Sequence, residues 1–365
     1  MHLSFYIRHF FPLRSLSTLL LVSFILVACS SPVKEATPTA MATVASLPTA
    51  TATPEPTATP VPSVKIGYVA SSPGVSSVGE AVQRAAKEFG WEISETQDAS
   101  VDSLRALVQV GAIVIVAEQG DLLQAARDFP AVYFIGLQQE NVTDLPTNLL
   151  ALGPGARQDQ AGFLAGMVAG LATESQIVTV IGDPNSIEGR NYRNGFSHGV
   201  LYTCPECRLL NIDVANLDDG TEASATVSTY FFVGCDVFFA AAGNAGDQAL
   251  AAAAEAGAGV IGAGEDVYLT RFGGGSALGA EHVLTSIYFD PGAAVYHALS
   301  AFHAGQPLSG AQTFTAANNA IVLAPYRDPE GVLSMLDQTD ITKALARLAN
   351  GSLETGIDPA TGEER

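Results

Sequence analysis

Basic residues are scarce in this sequence. Its 17 Lys and Arg stand against 37 Asp and Glu, which gives a formal net charge of −20. Because it also lacks a basic run, the chain would repel a phosphate backbone, and nucleic-acid binding is excluded. Four cysteines in 365 residues are too few for a disulfide scaffold. With 48% hydrophobic residues the chain is too apolar to be disordered, and it is long enough for one large domain or two ordinary ones.

Catalytic and metal-binding motifs are also missing. The sequence has no GxSxG, no HExxH and no GxxxxGK[ST]. Two of the six histidines lie in the first ten residues, and no two of the others show the i,i+4 spacing of metal ligands. We therefore predict no catalytic residue, no metal site and no cofactor, and we expect that the protein is not an enzyme.

The first 29 residues indicate the compartment. Arg8 and Arg14 precede an uncharged apolar run at 16–28, which is shorter than the roughly 20 residues that span a bilayer and is typical of a signal-peptide core. The run ends in LVAC at 26–29, which resembles a bacterial lipobox and implies cleavage before Cys29 and a lipid on its thiol. An ordinary signal peptide, or an uncleaved anchor with an incidental cysteine, is the alternative. We predict a lipoprotein on the extracytoplasmic face of the cell membrane.

The segment that follows is almost entirely Thr, Pro, Ala and Ser. Residues 30–63 contain two acids, one Lys and no aromatic residue, so they cannot bury a core. A Pro-rich composition favours an extended, semi-rigid spacer. We interpret 29–63 as the lipidated cysteine and its tether, although a disordered terminus without a role would have the same physical properties.

From residue 64 onwards, short apolar strands alternate with amphipathic helices. Such alternation predicts parallel sheets with helices on both faces, and there are more units than one sheet needs. In doubly wound sheets, ligands bind beyond the carboxyl ends of the strands, so the residues that follow strands are the informative ones. The patterns predict strands at 64–69, 91–96, 112–116, 131–135, 177–181, 209–214, 236–240 and 259–263, and helices at 78–89, 101–110, 122–128, 158–172, 191–202, 221–233 and 247–256.

Cys204 and Cys207 have the CxxC spacing, which suits a redox pair, half of a zinc site or a structural disulfide. Zinc would need a second pair of ligands, and no second CxxC occurs. The pair follows a predicted helix, so the positive end of a helix dipole is not expected to lower a thiol pKa. A local disulfide is the favoured interpretation. Cys235, at the start of a buried strand, is expected to be an inert core thiol.

Several short stretches together resemble one known family. They are DQAGFLAG at 159–166, YRNGFSHG at 192–199 and FAAAGNAG at 239–246, followed by VIG at 260–262 and LTS at 284–286. Their order and spacing are similar to those of the basic membrane protein (BMP) family, the purine-nucleoside receptor lipoproteins that serve ABC transporters. The resemblance extends over about 64–327.

The resemblance implies a two-lobed periplasmic-binding-protein fold of type I, in which each lobe is a doubly wound parallel α/β sheet. We expect 64–155 with about 264–305 in the first lobe, 156–263 with about 306–345 in the second, and a C-terminal tail at 346–365. The implied function is capture of a small, nucleoside-like solute in the interlobe cleft for an ABC permease, by a monomer. The alternative is a ligand-sensing module for a membrane receptor or kinase, without transport.

By position, the resemblance also implies ligand-binding residues. Tyr192 lies where the family has a base-stacking Phe, and such stacking contributes about 1–3 kcal/mol per base. Asp159 matches a carboxylate near the site, and Gly243, followed by Asn244, matches a glycine that lets the backbone approach the ligand. Each also has a structural interpretation: Tyr192 as a packing residue, Asp159 as a carboxylate favoured by a helix dipole, and Gly243 as a turn glycine.

Two positions depart from the family pattern. Gly264 stands where the family usually has an Asp that holds the ribose hydroxyls, and Phe289 stands where it usually has a Lys. Losing such polar partners should exclude the former ligand, because recognition by buried polar groups depends on every partner being present. Either Glu265 or Asp266 replaces the missing Asp, or the ligand is not an ordinary nucleoside.

Overall fold

The structure is a computed structural model, and it describes residues 64–74, 76–139, 142–327 and 331–365. The predicted signal peptide, the tether and the lipid site at Cys29 lie outside the described residues. Within the described ranges, no helix is both long enough and apolar enough to cross a bilayer.

The predicted alternation of strands and helices is confirmed, and the strands form two six-stranded sheets. The first sheet is parallel throughout, with strand order β11-β5-β4-β3-β1-β2, and the second has the order β12-β10-β9-β8-β6-β7, in which only β12 is antiparallel to its neighbour. The first sheet contains β1 (Lys65–Val69), β2 (Glu92–Thr96), β3 (Ala112–Ala117), β4 (Tyr133–Leu137), β5 (Leu149–Ala156) and β11 (Gly310–Phe314). The second contains β6 (Ile177–Gly182), β7 (Arg208–Asp213), β8 (Val237–Ala241), β9 (Gly259–Ala263), β10 (Val283–Phe289) and β12 (Ile321–Leu323).

Helices cover both faces of each sheet, as the continuous apolar character of the strands requires. Alternate side chains of one strand enter different cores: Val114 and Val116 of β3 face the helices α1 and α9, whereas Ile115 faces α2 and α3. In the second sheet, α4, α5 and α10 pack on one face, and α6 and α7 pack on the other. The helices are α1 (Ser77–Phe89), α2 (Val101–Gln109), α3 (Leu123–Asp128), α4 (Gln158–Ala172), α5 (Ile187–Thr203), α6 (Thr221–Phe232), α7 (Gly243–Glu255), α8 (Val267–Thr270), α9 (Pro291–His303) and α10 (Met335–Ala349).

The chain passes between the two sheets three times: from β5 to α4, from β10 to α9, and from β11 to β12. Hydrogen bonds join the crossings to one another. The Arg157 N–H donates to the Phe314 carbonyl at 2.9 Å, which joins the first crossing to the third, and the Asp290 N–H donates to the Ala320 carbonyl at 2.8 Å, which joins the second crossing to the third. Three bonded crossings at one side of both sheets are the arrangement of a hinge between two lobes.

Two stretches lie in the lobe opposite to the one predicted. The residues of β10 were expected in the first lobe, but β10 pairs with β9 in the second sheet. The residues of β11 were expected in the second lobe, but β11 pairs with β5 in the first sheet. Of the residues at 264–305, α9 packs in the first lobe beside α1, and of those at 306–345, β12 and α10 lie in the second lobe. The reason is physical: the sheet that a strand joins is decided by pairing with distant strands, which a local pattern does not encode.

The predicted C-terminal tail is an ordered part of the second lobe. Its first residues complete α10, and the remainder, here called the C-terminal segment (350–365), packs along α5. The Asn194 Nδ2 donates to the Gly362 carbonyl at 2.6 Å, and the His198 Nδ1 lies 2.7 Å from the Thr355 carbonyl oxygen. These bonds hold the segment to the helix that carries Tyr192.

Candidate functional site

The strand order locates one candidate binding edge in each lobe. In the first sheet, the order reverses between β1 and β3, and in the second it reverses between β6 and β8. Ligands of doubly wound sheets bind outside the carboxyl ends of the strands at this reversal. In the first lobe, Ser71 and Glu118 lie beyond these ends, and we call this group the first edge. In the second lobe, Asp183 and Gly243 lie there, and we call this group the second edge.

Gly243 and Asn244 lie at the second edge, where α7 begins. Gly243 has φ +53°, in the left-handed region that favours glycine, and both residues are exposed. The amide of Asn244 already has protein partners at both ends: its Nδ2 donates to the Asp218 carbonyl at 3.0 Å, and its Oδ1 accepts from the Arg271 Nη2 at 2.8 Å. The exposed backbone of this turn is therefore more available to a ligand than the Asn244 side chain.

Glu265 and Asp266 follow β9, the strand next to the reversal in the second sheet. Glu265 is exposed. Asp266 caps the short helix α8 by accepting from the Tyr268 N–H at 3.2 Å, and its other oxygen lies 3.7 Å from the Arg327 Nη2. One of these two carboxylates is thus engaged in local structure, and the other faces solvent.

The two departures from the family pattern have clear places in the fold. Gly264 directly follows β9 with φ +88°, and a Cβ built on it would meet nothing within 4 Å. Phe289 ends β10 and is half-buried against the second-lobe core. The space beside Gly264 is therefore open, and an apolar ring stands where a charged amine was expected.

Tyr192 lies on α5 and is partly buried against the core of the second lobe. Its ring centroid is 6.1 Å from that of Phe239, at an interplanar angle of 56°. Burial, with a smaller contribution from the charge of Glu188, raises the pKa of its phenol. The ring therefore takes part in the packing of the second-lobe core.

Asp159 is fully buried, and its carboxylate is engaged inside the protein. The Arg157 guanidinium binds both of its oxygens, with Nε 2.6 Å from Oδ1 and Nη2 2.7 Å from Oδ2. The Thr355 hydroxyl, from the C-terminal segment, donates to Oδ2 at 2.5 Å. This geometry favours the structural interpretation: Asp159 fastens the end of the chain to the crossing between β5 and α4.

Glycines of the family-like stretches bring α4 and α5 into backbone contact. A Cβ on Gly166 would lie 2.1 Å from the Phe196 carbonyl oxygen, and one on Gly199 would lie 1.9 Å from the Phe163 carbonyl oxygen. Because any side chain there would collide with backbone, these positions require glycine. The stretches at 159–166 and 192–199 are thus packing motifs that set the position of Tyr192.

Sequence reasoning missed the polar cluster at the first edge. Glu118, which follows β3, is only 8% exposed and accepts hydrogen bonds from the hydroxyls of Tyr68, Ser71 and Ser76. The available signal was an acid directly after the apolar run AIVIVA, at the carboxyl end of a central strand. Its partners lie 42 to 50 residues away in sequence, so the cluster itself was not visible.

The cysteines beyond the tether are all accounted for. Cys204 and Cys207 are joined by a disulfide just after α5. Cys235 is a free, buried thiol whose sulfur lies 3.1 Å from the Thr179 Oγ1. Burial raises its pKa to about 11, so the thiolate is not formed at neutral pH. None of these sulfurs lies beyond the carboxyl end of a strand at either edge.

Comparison with known proteins agrees with this architecture. A family model described as ABC transporter substrate-binding protein PnrA-like matches residues 67–348. Basic membrane protein C of Borreliella burgdorferi is 26% identical over 206 residues, and the match covers 55% of this chain and 56% of that protein. The chain thus spans about half the length of the curated relatives it matches.

Two solved structures share the fold. An ABC transporter solute-binding protein from Conexibacter woesei superimposes with a TM-score of 0.53 at 19% identity, covering 80% of this chain and 98% of that one. A transcriptional activator of the comK gene from Bacillus halodurans gives a TM-score of 0.53 at 17% identity, covering 80% and 99%. At these identities the likeness shows the two-lobed fold alone. The family match extends over most of the chain, and the protein therefore belongs to the PnrA-like family of ABC transporter substrate-binding proteins.

Proposed function

We propose that this protein is a lipid-anchored, extracytoplasmic solute-binding protein that captures a nucleoside-like solute between its lobes and presents it to an ABC permease. The observation that carries the proposal is the pair of strand-order reversals, one in each sheet, with polar groups beyond both. A solute held by both edges would bring the lobes together about the three bonded crossings, and a permease would distinguish the closed form from the open one.

The arrangement of the second lobe supports a nucleoside-like ligand. In this proposal a base stacks on the ring of Tyr192, which is only partly buried, and the exposed backbone at Gly243 approaches the ligand. Glu265 is an exposed carboxylate one residue after Gly264, and it is suited to accept hydrogen bonds from ribose hydroxyls. In this proposal Glu265 replaces the usual Asp, and Asp266 holds the turn in which Glu265 lies.

Membrane attachment through Cys29 completes the proposal. The segment at 30–63 would act as a tether between the lipid and β1, which begins at Lys65. A tethered receptor remains near its permease while its lobes are free to open and close.

Calorimetric titration tests the proposed function. The purified full-length protein is first denatured and refolded to remove any ligand it carries, and is then titrated with adenosine, guanosine, inosine, cytidine and the free bases. We expect saturable binding of at least one nucleoside with a Kd in the micromolar range or below, about −8 kcal/mol or better, and weaker binding of the free bases. Binding of a free base as tightly as its nucleoside would remove the role assigned to Glu265, and no heat with any nucleoside would contradict the nucleoside assignment.

A further inference from the structure

The first edge contains a carboxylate that is surrounded by hydrogen-bond donors. Glu118 accepts from the Ser71 hydroxyl at 2.5 Å and from the Ser71 N–H at 3.2 Å, both through Oε2. Its Oε1 accepts from the hydroxyls of Tyr68 and Ser76. All of these groups lie at the carboxyl ends of β1 and β3, where the strand order of the first sheet reverses.

The charge on Glu118 decides the direction of these bonds. Burial alone would raise the pKa of Glu118, but the hydrogen bonds from Ser71, Ser76 and Tyr68 outweigh burial and hold the pKa below its ordinary value of 4.5. The side chain is therefore ionised at neutral pH. An ionised carboxylate can only accept, so each hydroxyl must donate its single proton to it.

Of the three hydroxyls, that of Ser71 is the one open to a ligand. Tyr68 is 5% exposed, and the Ser76 oxygen already accepts from the Gly79 N–H at 2.9 Å as the N-cap of α1. Ser71 is exposed, and its proton points to Glu118. A serine hydroxyl whose proton is committed retains only its lone pairs, so towards solvent it is an acceptor and not a donor.

We propose that Ser71, with its proton held by Glu118, is an acceptor-only ligand subsite in the first lobe that selects a hydroxyl or amino group of the solute. The inference rests on the proposed solute-binding function and makes it more specific. Glu118 is a positioning residue: it fixes the direction of the Ser71 hydroxyl without touching the ligand. Glu265 at the other lobe is also an acceptor, so the solute must carry donors towards both lobes.

The test compares adenosine with analogues that each lack one donor: 2′-deoxyadenosine, 3′-deoxyadenosine, 5′-deoxyadenosine and purine riboside, which lacks the amino group. In the wild-type protein at least one analogue should bind about tenfold more weakly than adenosine, as expected for one hydrogen bond to a polarised partner. In Ser71→Ala this penalty, the factor by which the analogue binds more weakly than adenosine, should fall to about twofold or less. Ser72→Ala, an exposed neighbour, is the matched control and should retain the wild-type penalty.

Glu118→Met separates positioning from packing. Methionine is nearly the same size but has no oxygen to accept the Ser71 proton, so that proton is no longer committed, and the loss of affinity for the analogue should shrink as in Ser71→Ala although residue 118 does not touch the solute. If Glu118→Met fails to fold, Ser71→Ala alone decides. Nucleoside binding with an unchanged penalty in Ser71→Ala would overturn this inference and leave the proposed function standing. No nucleoside binding by the wild-type protein would overturn both.

Discussion

Replacing Gly199 with alanine should lower the free energy of unfolding by about 3 kcal/mol or more. The new Cβ would lie 1.9 Å from the Phe163 carbonyl oxygen and 2.7 Å from its carbon. Both are backbone atoms of α4, so no side-chain rotation relieves the collision, and the two helices must separate. Equilibrium denaturation in urea measures the change. Because α5 carries Tyr192, nucleoside affinity should fall together with stability.

Gly155→Ala is the matched control for this substitution. Gly155 is exposed, its φ is outside the left-handed region, and a Cβ there would lie 3.8 Å from the Thr313 Cγ2, an ordinary contact. The free energy of unfolding of the Gly155→Ala variant should stay within about 0.5 kcal/mol of the wild-type value. Equal effects of the two substitutions would contradict the backbone packing of α4 against α5.

Replacing Asp159 with asparagine should also have a large effect and lower the free energy of unfolding by about 3 kcal/mol. The substitution leaves the Arg157 guanidinium without its carboxylate and places an N–H donor where Arg157 and Thr355 need an acceptor. Because Thr355 belongs to the C-terminal segment, amide protons of 350–365 should also exchange faster. Urea denaturation and hydrogen exchange measure the two effects.

An exposed ion pair supplies the comparison for Asp159. Asp340 pairs with Lys343 at 2.7 Å, but both side chains are more than half exposed, so Asp340→Asn should change stability by about 0.5 kcal/mol or less. Should Asp159→Asn leave stability and exchange unchanged while weakening nucleoside binding, the structural interpretation is wrong and the ligand-binding prediction for Asp159 gains support.

Local patterns predicted the elements well. The prediction of a helix at 158–172 and of a strand at 259–263 matches α4 and β9 residue for residue, because apolar spacing reports burial directly. Lobe membership was harder to predict. β10 and β11 were assigned to the wrong lobes, since nothing in their own residues specifies a partner strand.

The site was only partly visible in the sequence for the same reason. The family resemblance pointed to Gly243 and to Glu265 as candidates, and each lies two residues beyond the end of a strand, β8 or β9. The partners of Asp159 and Glu118 could not be found, because Thr355 lies 196 residues from Asp159 and Ser71 lies 47 residues from Glu118. Sequence position thus revealed which residues lie at the strand ends, and only the fold reveals which of them already have protein partners.

The central claim, that a nucleoside-like solute binds between two closing lobes, is tested most directly by a distance measurement across them. Asp102 and Glu222 are exposed and lie in the first turns of α2 and α6, which follow β2 and β7. These two strands are at the sheet edges farthest from the crossings at β11 and β12, so closure should move them most.

Spin labels attach specifically at Asp102→Cys and Glu222→Cys in a Cys29→Ala background, because Cys204 and Cys207 are bonded to each other and the Cys235 thiol is buried. Pulsed electron–electron double resonance then gives the distance between the two labels with and without a saturating nucleoside. We predict a shorter and narrower distance distribution when the nucleoside is bound. A distribution that does not change, although calorimetry shows the nucleoside bound, would contradict binding between the lobes.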